Sequence, residues 1–218
     1  MEIRLNQMLL KRGGDIRLLQ CWGAASTVLI AFLILGGCVG IDDLSRENYR
    51  KGVLYTSNLS KETIAVLPMV AKGENRHYLH AAESIFYRAL TEMRDQTNLI
   101  SPEEGLAKIK EGNLDDFFRV FEKETSFKRV AEERDLSRFR KILGTRFLLQ
   151  TELQQVEIIE GATQVRIQGR LWDIEMGDVI WEGSGESRGY LFLFFPRVPA
   201  TFEKAIEVAG RGLIRKLP

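Results

Sequence analysis

The chain has 218 residues and a formal net charge of +1 at neutral pH, and 28% of its residues are charged. This composition excludes an intrinsically disordered chain and a protein with many membrane spans, and it argues against a basic nucleic-acid-binding surface. Both cysteines, Cys21 and Cys38, lie near the amino terminus. The remainder therefore holds neither a disulfide nor a thiolate metal site.

The amino-terminal segment predicts a cleaved signal peptide. Basic residues precede an apolar stretch whose uninterrupted part, Val28–Leu35, is too short for a membrane span and fits a signal core of roughly 7–15 residues. The following sequence, Leu-Gly-Gly-Cys, resembles the lipobox of bacterial lipoproteins. The resemblance implies cleavage after residue 37 and lipidation of Cys38. An uncleaved single-span anchor with an incidental cysteine is the alternative.

The residues after Cys38 bear on location and on domain boundaries. Residue 39 is valine, whereas the familiar inner-membrane retention residue of lipoproteins at that position is aspartate. The resemblance therefore implies an outer-membrane anchor facing the periplasm. Residues 38–62 are polar and without apolar periodicity, which predicts a flexible tether to a folded domain at residues 63–218.

The first half of this domain alternates strand and helix signals. Thr63–Pro68 predicts a buried strand, an apolar stripe at helical spacing predicts a long helix within residues 74–96, and Asn98–Ile100 predicts a second strand. Ser101, with a proline after it, predicts the capped start of a helix. A further helical region begins at Asn113.

Three runs of alternating apolar and polar residues then predict an antiparallel meander before a closing helix at residues 200–217. The runs are Arg146–Ile159, Thr163–Glu175 and Asp178–Tyr190. A change in apolar phase predicts a bulge near Gln154. The element order, β-α-β-α-α-β-β-β-α, predicts one mixed α/β (α+β) sheet with parallel first strands and helices mainly on one face.

These features together resemble a family of bacterial envelope domains. The residues that carry the resemblance are TIAVLP, the helix start SPEE, the run GTRFLLQTELQQVEI and the turn sequence LWDIEMGDVIWEGSGES. Related domains occur in the curli-secretion lipoprotein, in lipoprotein activators of penicillin-binding proteins and in the amino-terminal domain of TolB. The resemblance implies a non-catalytic protein that binds other envelope proteins or associates with itself.

Residues suited to catalysis or metal binding do not form a recognisable motif. His77, His80 and Glu83 are spaced by three, which spreads them over a wide arc of a helix, whereas zinc sites on one helix use a spacing of four. Asp173 fits turn chemistry. We therefore expect no enzyme activity, metal, cofactor or nucleic-acid partner.

One apolar run follows the last predicted strand and is a candidate contact surface. It consists of Tyr190, Leu191, Phe192, Leu193, Phe194 and Phe195. Because each phenylalanine buries roughly 150–250 Å² when it is enclosed, the run is too apolar for a free loop. It either completes the core or contacts a partner, a sister subunit or the lipid surface.

The sequence therefore predicts a lipid-anchored binding or assembly module of the cell envelope. An activator of a cell-wall synthase, a secretion-channel subunit and an envelope hydrolase are the alternatives. The channel is disfavoured because every alternating run is already used in the meander, which leaves no strands for a pore.

Overall fold

The computed structural model describes residues 44–50, 59–71, 73–116, 118, 133–190 and 198–218. The strands are β1 (Arg46–Arg50), β2 (Thr63–Val66), β3 (Val70–Ala71), β4 (Asn98–Ile100), β5 (Phe147–Ile159), β6 (Ala162–Asp173) and β7 (Asp178–Ser187). The helices are α1 (Leu79–Met93), α2 (Pro102–Glu111), α3 (Glu133–Leu143) and α4 (Phe202–Lys216). Two short 3₁₀ helices, Leu59–Lys61 and Gly73–Tyr78, precede β2 and α1. Among the described residues, no helix is both long and apolar enough to cross a membrane.

The strands form one mixed sheet in the order β1-β7-β6-β5-β2-β4, and β3 pairs with β5 beside β2. β2 is parallel to both β4 and β5. β5, β6, β7 and β1 are successively antiparallel. The predicted mixed α/β fold, with parallel first strands and a carboxyl-terminal meander, is confirmed.

Local sequence features explain the shape of the meander. The β5–β6 register shifts between Leu153 and Gln155, so the predicted bulge is present at Gln154. Glu160 and Gly161 both have positive φ and form the two-residue turn between β5 and β6. This geometry matches the right-handed twist of the strands that it joins.

The helices cover both faces of the sheet, whereas the sequence predicts them mainly on one. On β2, Ile64 and Val66 pack with α1 and α4, while Ala65 packs in a second cluster with α2 and α3. Successive strand residues point to opposite faces, so the two clusters lie on opposite sides of the sheet. The two-sided burial of β2 is typical of parallel strands.

α4 lies unusually close to the sheet because a glycine faces it. A Cβ atom built on Gly185 of β7 would lie 1.9 Å from the carbonyl oxygen of Ala209. Only a residue without a side chain permits this approach. The same small-residue contact brings α4 against β6, where Leu213 lies over Gly169.

β1 lies in the segment that the sequence predicts to be a tether. Its residues, RENYR, pair antiparallel with β7, and the backbone N–H of Leu44 continues the pairing by donating to the carbonyl of Glu186 at 3.1 Å. The structure thus differs from the prediction, because the exposed edge of β7 supplies hydrogen-bond partners that a polar sequence can use.

Candidate functional site

One face of the meander carries a row of charged and polar side chains, which we call the charged sheet face. It is built by residues that share a register row and therefore a side of the sheet. They are Arg46, Glu152, Arg166, Gln168, Arg170, Glu182, Ser184 and Glu186. No helix in the described part of the chain packs on these residues.

Cross-strand ion pairs hold the side chains of the charged sheet face in place. The Arg166 guanidinium lies 3.1 Å from the Glu186 carboxylate, and the Arg170 Nε lies 3.1 Å from the Glu182 carboxylate. Arg46 approaches Glu186 from the other side at 3.9 Å. Arg166–Glu186 and Arg170–Glu182 are directly opposite in the β6–β7 ladder, which is the arrangement that favours opposite charges, whereas Arg46 reaches Glu186 diagonally from its own partner, Ser184.

A buried hydrogen bond marks where the charged sheet face ends and the second core cluster begins. The indole N–H of Trp172 donates to the Gln150 side-chain oxygen at 3.0 Å, and Trp172 is fully buried. Trp172 packs in the cluster formed with α2 and α3. The bond fixes the orientation of the Gln150 side chain, because a buried indole N–H must find a partner.

Trp181, the second of the two tryptophans in the family-like turn sequence, is structural. It is fully buried in the cluster with α1 and α4, and its indole N–H donates to the Glu47 carboxylate of β1 at 3.3 Å. This bond connects the core to the edge strand.

Asp173, which the sequence indicates as a turn residue, is confirmed in that role. Its side chain accepts hydrogen bonds from the backbone N–H groups of Glu175 and Met176 at 3.0 and 3.2 Å. It also receives the Arg146 guanidinium, whose Nε lies 3.0 Å from both carboxylate oxygens. That hydrogen bond raises the pKa of Arg146 above its ordinary value, opposed in part by burial.

A cavity of about 660 Å³ lies beside this ion pair, between α3 and the first residues of β2 and β5. It is lined by Glu62, Thr63, Ser137, Arg140, Lys141, Gly144, Thr145 and Arg146. Arg146 is bound to Asp173, and both Arg140 and Arg146 lie 3.3 Å from the Glu175 carboxylate. These two carboxylates neutralise both arginines, and the remaining charges of the lining, Lys141 and Glu62, are opposite in sign, so the cavity does not concentrate positive charge for an anionic ligand.

A second groove, of about 370 Å³, contains the helix residues that the sequence raises as acid–base candidates. It is lined by His80, Glu83, Ser84, Tyr87, Arg88, Thr91, Pro102 and Glu103. Glu83 accepts a hydrogen bond from the backbone N–H of Met69 at 2.5 Å, so the carboxylate holds the loop after β2. Burial, and secondarily Glu103 and Glu104, raises the pKa of Tyr87, which keeps its hydroxyl protonated. His77 packs against Tyr78 instead of facing this groove.

The histidines do not assemble into a metal site with neighbouring carboxylates. No group of three possible ligands is present among the residues that the structure describes.

The other predicted site residues fall largely beyond what the structure describes. Cys38 and Leu191–Phe195 lie outside the described residues, so their predicted roles stay predictions. Tyr190 is described, and its backbone pairs with Pro199. The N–H of Ala200 donates to the Gly189 carbonyl at 2.7 Å. The alternation in the predicted run Thr163–Glu175 puts Arg166, Gln168 and Arg170 on one face of the strand, but it does not reveal their partners.

Comparison with known proteins finds distant likenesses only. No family model and no curated protein matches the chain. Among solved structures, a PelC dodecamer from Paraburkholderia phytofirmans is 15% identical with a TM-score of 0.45, over 80% of this chain and 93% of that one.

Two further structures are similar at a lower level. Lipoprotein GNA1162 from Neisseria meningitidis is 17% identical with a TM-score of 0.41, over 58% of this chain and 80% of that one. The LpoB C-terminal domain from Salmonella enterica is 13% identical with a TM-score of 0.36, over 61% of this chain and 87% of that one. These values assign no activity or partner to this chain.

Proposed function

We propose that this chain is a lipid-anchored protein of the bacterial cell envelope that acts by binding another envelope protein or further copies of itself, without catalysis. Lipidation at Cys38 holds it to the outer membrane on the periplasmic side, and residues 190–195 contribute to contacts with a partner or with the membrane. The lipobox-like sequence and the valine after it support the anchor and its location.

The observation that carries the binding role is the charged sheet face. Sites for small molecules are concave, whereas these side chains lie along one face of a sheet, and neither polar cavity described above is lined by them. Its side chains are already ordered by ion pairs, so a partner loses little side-chain entropy when it docks. Alternating charges favour a partner of complementary pattern and disfavour others.

The carboxylates of the charged sheet face are unsuited to acid–base catalysis. Glu182 and Glu186 are each paired with an arginine of β6, so their carboxylate oxygens are already engaged by a neighbouring cation. A general acid needs the opposite environment, in which burial or a like charge favours the protonated form. The face therefore supports recognition rather than hydrolysis.

Site-specific photocrosslinking in cells tests the proposal. A photoreactive residue at Gln168, in the centre of the charged sheet face, should crosslink to one defined envelope protein or to a second copy of this chain. The matched control is the exposed position Arg88 on α1. Arg166→Glu should abolish the Gln168 crosslink, whereas Arg88→Glu should leave it intact. Equal crosslinking from positions 168 and 88 would contradict a specific binding face.

The oligomeric mass of the detergent-solubilised protein distinguishes the two kinds of partner. A discrete homo-oligomer that Arg166→Glu dissociates indicates self-association, and a monomer with a defined crosslinked protein indicates a different partner.

A further inference from the structure

One end of the sheet carries exposed apolar side chains outside the proposed binding face. Ile158 is 68% exposed and Ile159 is 43% exposed at the tip of the β5–β6 hairpin, and Val198 is 39% exposed. We call these three residues the apolar end. Most other large apolar residues in the described part of the chain are buried or half-buried, so this grouping is unusual.

The hairpin is exposed because it extends beyond the neighbouring strand and the helices. The last β6–β7 pair is Val165 with Ser187, whereas β5 and β6 continue to pair as far as Ile159 with Ala162. Val156 still packs against the core cluster of α1 and α4, but Ile158, about 7 Å further along the strand, does not.

Val198 belongs to the same end of the sheet. Gly189, which follows β7, lies beside Thr163, since a Cβ atom on Gly189 would meet the Thr163 backbone at 2.3 Å. Thr163 is the register partner of Ile158. The backbone of Tyr190, the residue after Gly189, pairs with that of Pro199, and Val198 directly precedes Pro199.

The amino-terminal connection leaves the sheet from this end as well. β1 is antiparallel to β7, and the Leu44 N–H donates to the carbonyl of Glu186, close to the last residue of β7. Leu44 is only the sixth residue after Cys38. At 3.3–3.6 Å per residue this stretch spans at most about 20 Å. A lipid on Cys38 therefore holds this end of the sheet near the bilayer, while β5 alone, with 13 residues, extends about 40 Å away from it.

We propose that the apolar end contacts the lipid bilayer in which Cys38 is anchored, with the hairpin tip inserted into the interfacial region. This inference rests on the lipid anchor of the proposed function. Adjacent strand residues point to opposite faces, so Ile158 and Ile159 expose apolar surface on both sides of the hairpin. A bilayer surrounds both sides at once, whereas a protein groove must enclose the hairpin to do so.

Charged neighbours set the depth of insertion. Glu157 and Glu160 flank the two isoleucines at the tip. Carboxylates are costly in the hydrocarbon region but are well placed beside the ammonium groups of ethanolamine lipids. The hairpin therefore enters to the headgroup boundary and no further, and the charged sheet face remains available for a partner.

No cysteine follows Cys38, and Cys21 lies in the predicted signal peptide, so a single introduced thiol provides a direct test. In the lipidated protein the Cys38 sulfur is blocked, so Ile158→Cys supplies a single thiol for an environment-sensitive fluorophore. The labelled full chain is reconstituted into vesicles of phosphatidylethanolamine and phosphatidylglycerol that carry spin-labelled acyl chains. Gln96→Cys, exposed between α1 and β4 at the opposite end of the sheet, is the matched control.

We expect blue-shifted emission and several-fold stronger quenching by the spin labels at position 158 than at position 96. Equal quenching at the two positions would overturn the inference. A blue shift without quenching by lipid would also overturn it, because it indicates contact with protein. Protein that does not float with the vesicles would show instead that the chain is not lipid-anchored, which contradicts the proposed function itself. The two failures are therefore distinguishable.

A second comparison shows whether the native isoleucines drive insertion. With the fluorophore at Glu160→Cys, the double substitution Ile158→Asn and Ile159→Asn should lower the ratio of inserted to detached hairpin roughly 10- to 100-fold. The hairpin lies outside the core, so the folded state is retained and circular dichroism checks this. Unchanged quenching in the double variant would contradict the proposal.

Discussion

The contact between α4 and β7 makes Gly185→Ala a sensitive test of the fold. The alanine Cβ would lie 1.9 Å from the Ala209 carbonyl oxygen and 2.9 Å from the Cβ of Leu213. Carbon atoms essentially never come within 3.0 Å of such neighbours, so α4 must move by about 1 Å. The obstacle is backbone, which cannot turn aside as a flexible side chain does.

The expected loss of stability in Gly185→Ala follows from the packing of α4 in the core. Overpacking in a well-packed core costs about 1–3 kcal/mol, and the displaced helix carries Ala205, Ile206 and Leu213 of the larger core cluster. We therefore expect a loss of about 3 kcal/mol or more from a total stability on the order of 5–15 kcal/mol. For a chain of this size the melting temperature should fall by roughly 6–12 °C.

Thermal and urea unfolding of the detergent-solubilised chain, followed by circular dichroism, measures this loss. Gly105→Ala is the matched control, because a Cβ on that α2 residue meets nothing nearer than the Val66 oxygen at 3.8 Å. The control should stabilise the protein by about 0.5–1 kcal/mol through higher helix propensity. A Gly185→Ala protein as stable as the parent would refute the close approach of α4.

Three further substitutions test local interactions by the same unfolding measurements. Asp173→Asn keeps an acceptor for the turn but loses the ion pair with Arg146, and should cost about 2 kcal/mol; a loss below about 0.5 kcal/mol would contradict this role. Ser101→Ala removes the acceptor for the Glu104 N–H and should lower the free energy of unfolding by about 1 kcal/mol. An unchanged stability would contradict the capping role of Ser101. Hydrogen bonds from Lys204 and, to a smaller extent, from Arg211 lower the pKa of Glu207 below its ordinary 4.5. The ionised Glu207 carboxylate therefore contributes less than about 1 kcal/mol to the free energy of unfolding. This contribution is present above pH 4.5 and is lost as the pH falls through the folded-state pKa. Stability curves for Glu207→Gln and the parent should converge in acid and separate above pH 5, and parallel curves would contradict this.

Local signals in the sequence predict much of the fold. Ser101 caps α2 and accepts the Glu104 N–H at 3.2 Å, as its position before Pro102 predicts. The bulge at Gln154 and the Glu160-Gly161 turn are also found where the apolar phase and the turn residues place them. These features depend on a few neighbouring residues, so they can be identified without the rest of the chain.

Features that depend on distant partners are missed. β1 has no apolar alternation and is a strand because the edge of β7 is available. The apolar alternation of Arg146–Ile159 continues to Ile158, yet Ile158 is 68% exposed because the hairpin extends beyond the last β6–β7 pair. The charged sheet face is foreseen only as an outward row on β6, since its ion pairs depend on the register with β7.

In the lipid-anchored form that we propose, β1 would also determine how the domain bears a mechanical pull from Cys38. A pull on Leu44 along the strand is directed parallel to β1, while the β1–β7 hydrogen bonds run perpendicular to it. All of these bonds are then sheared together instead of opening one after another, and the Trp181–Glu47 hydrogen bond adds a transverse link to the core. The pairing of β1 with β7 would thus transmit a pull between a bound partner and the proposed membrane anchor while the sheet stays folded.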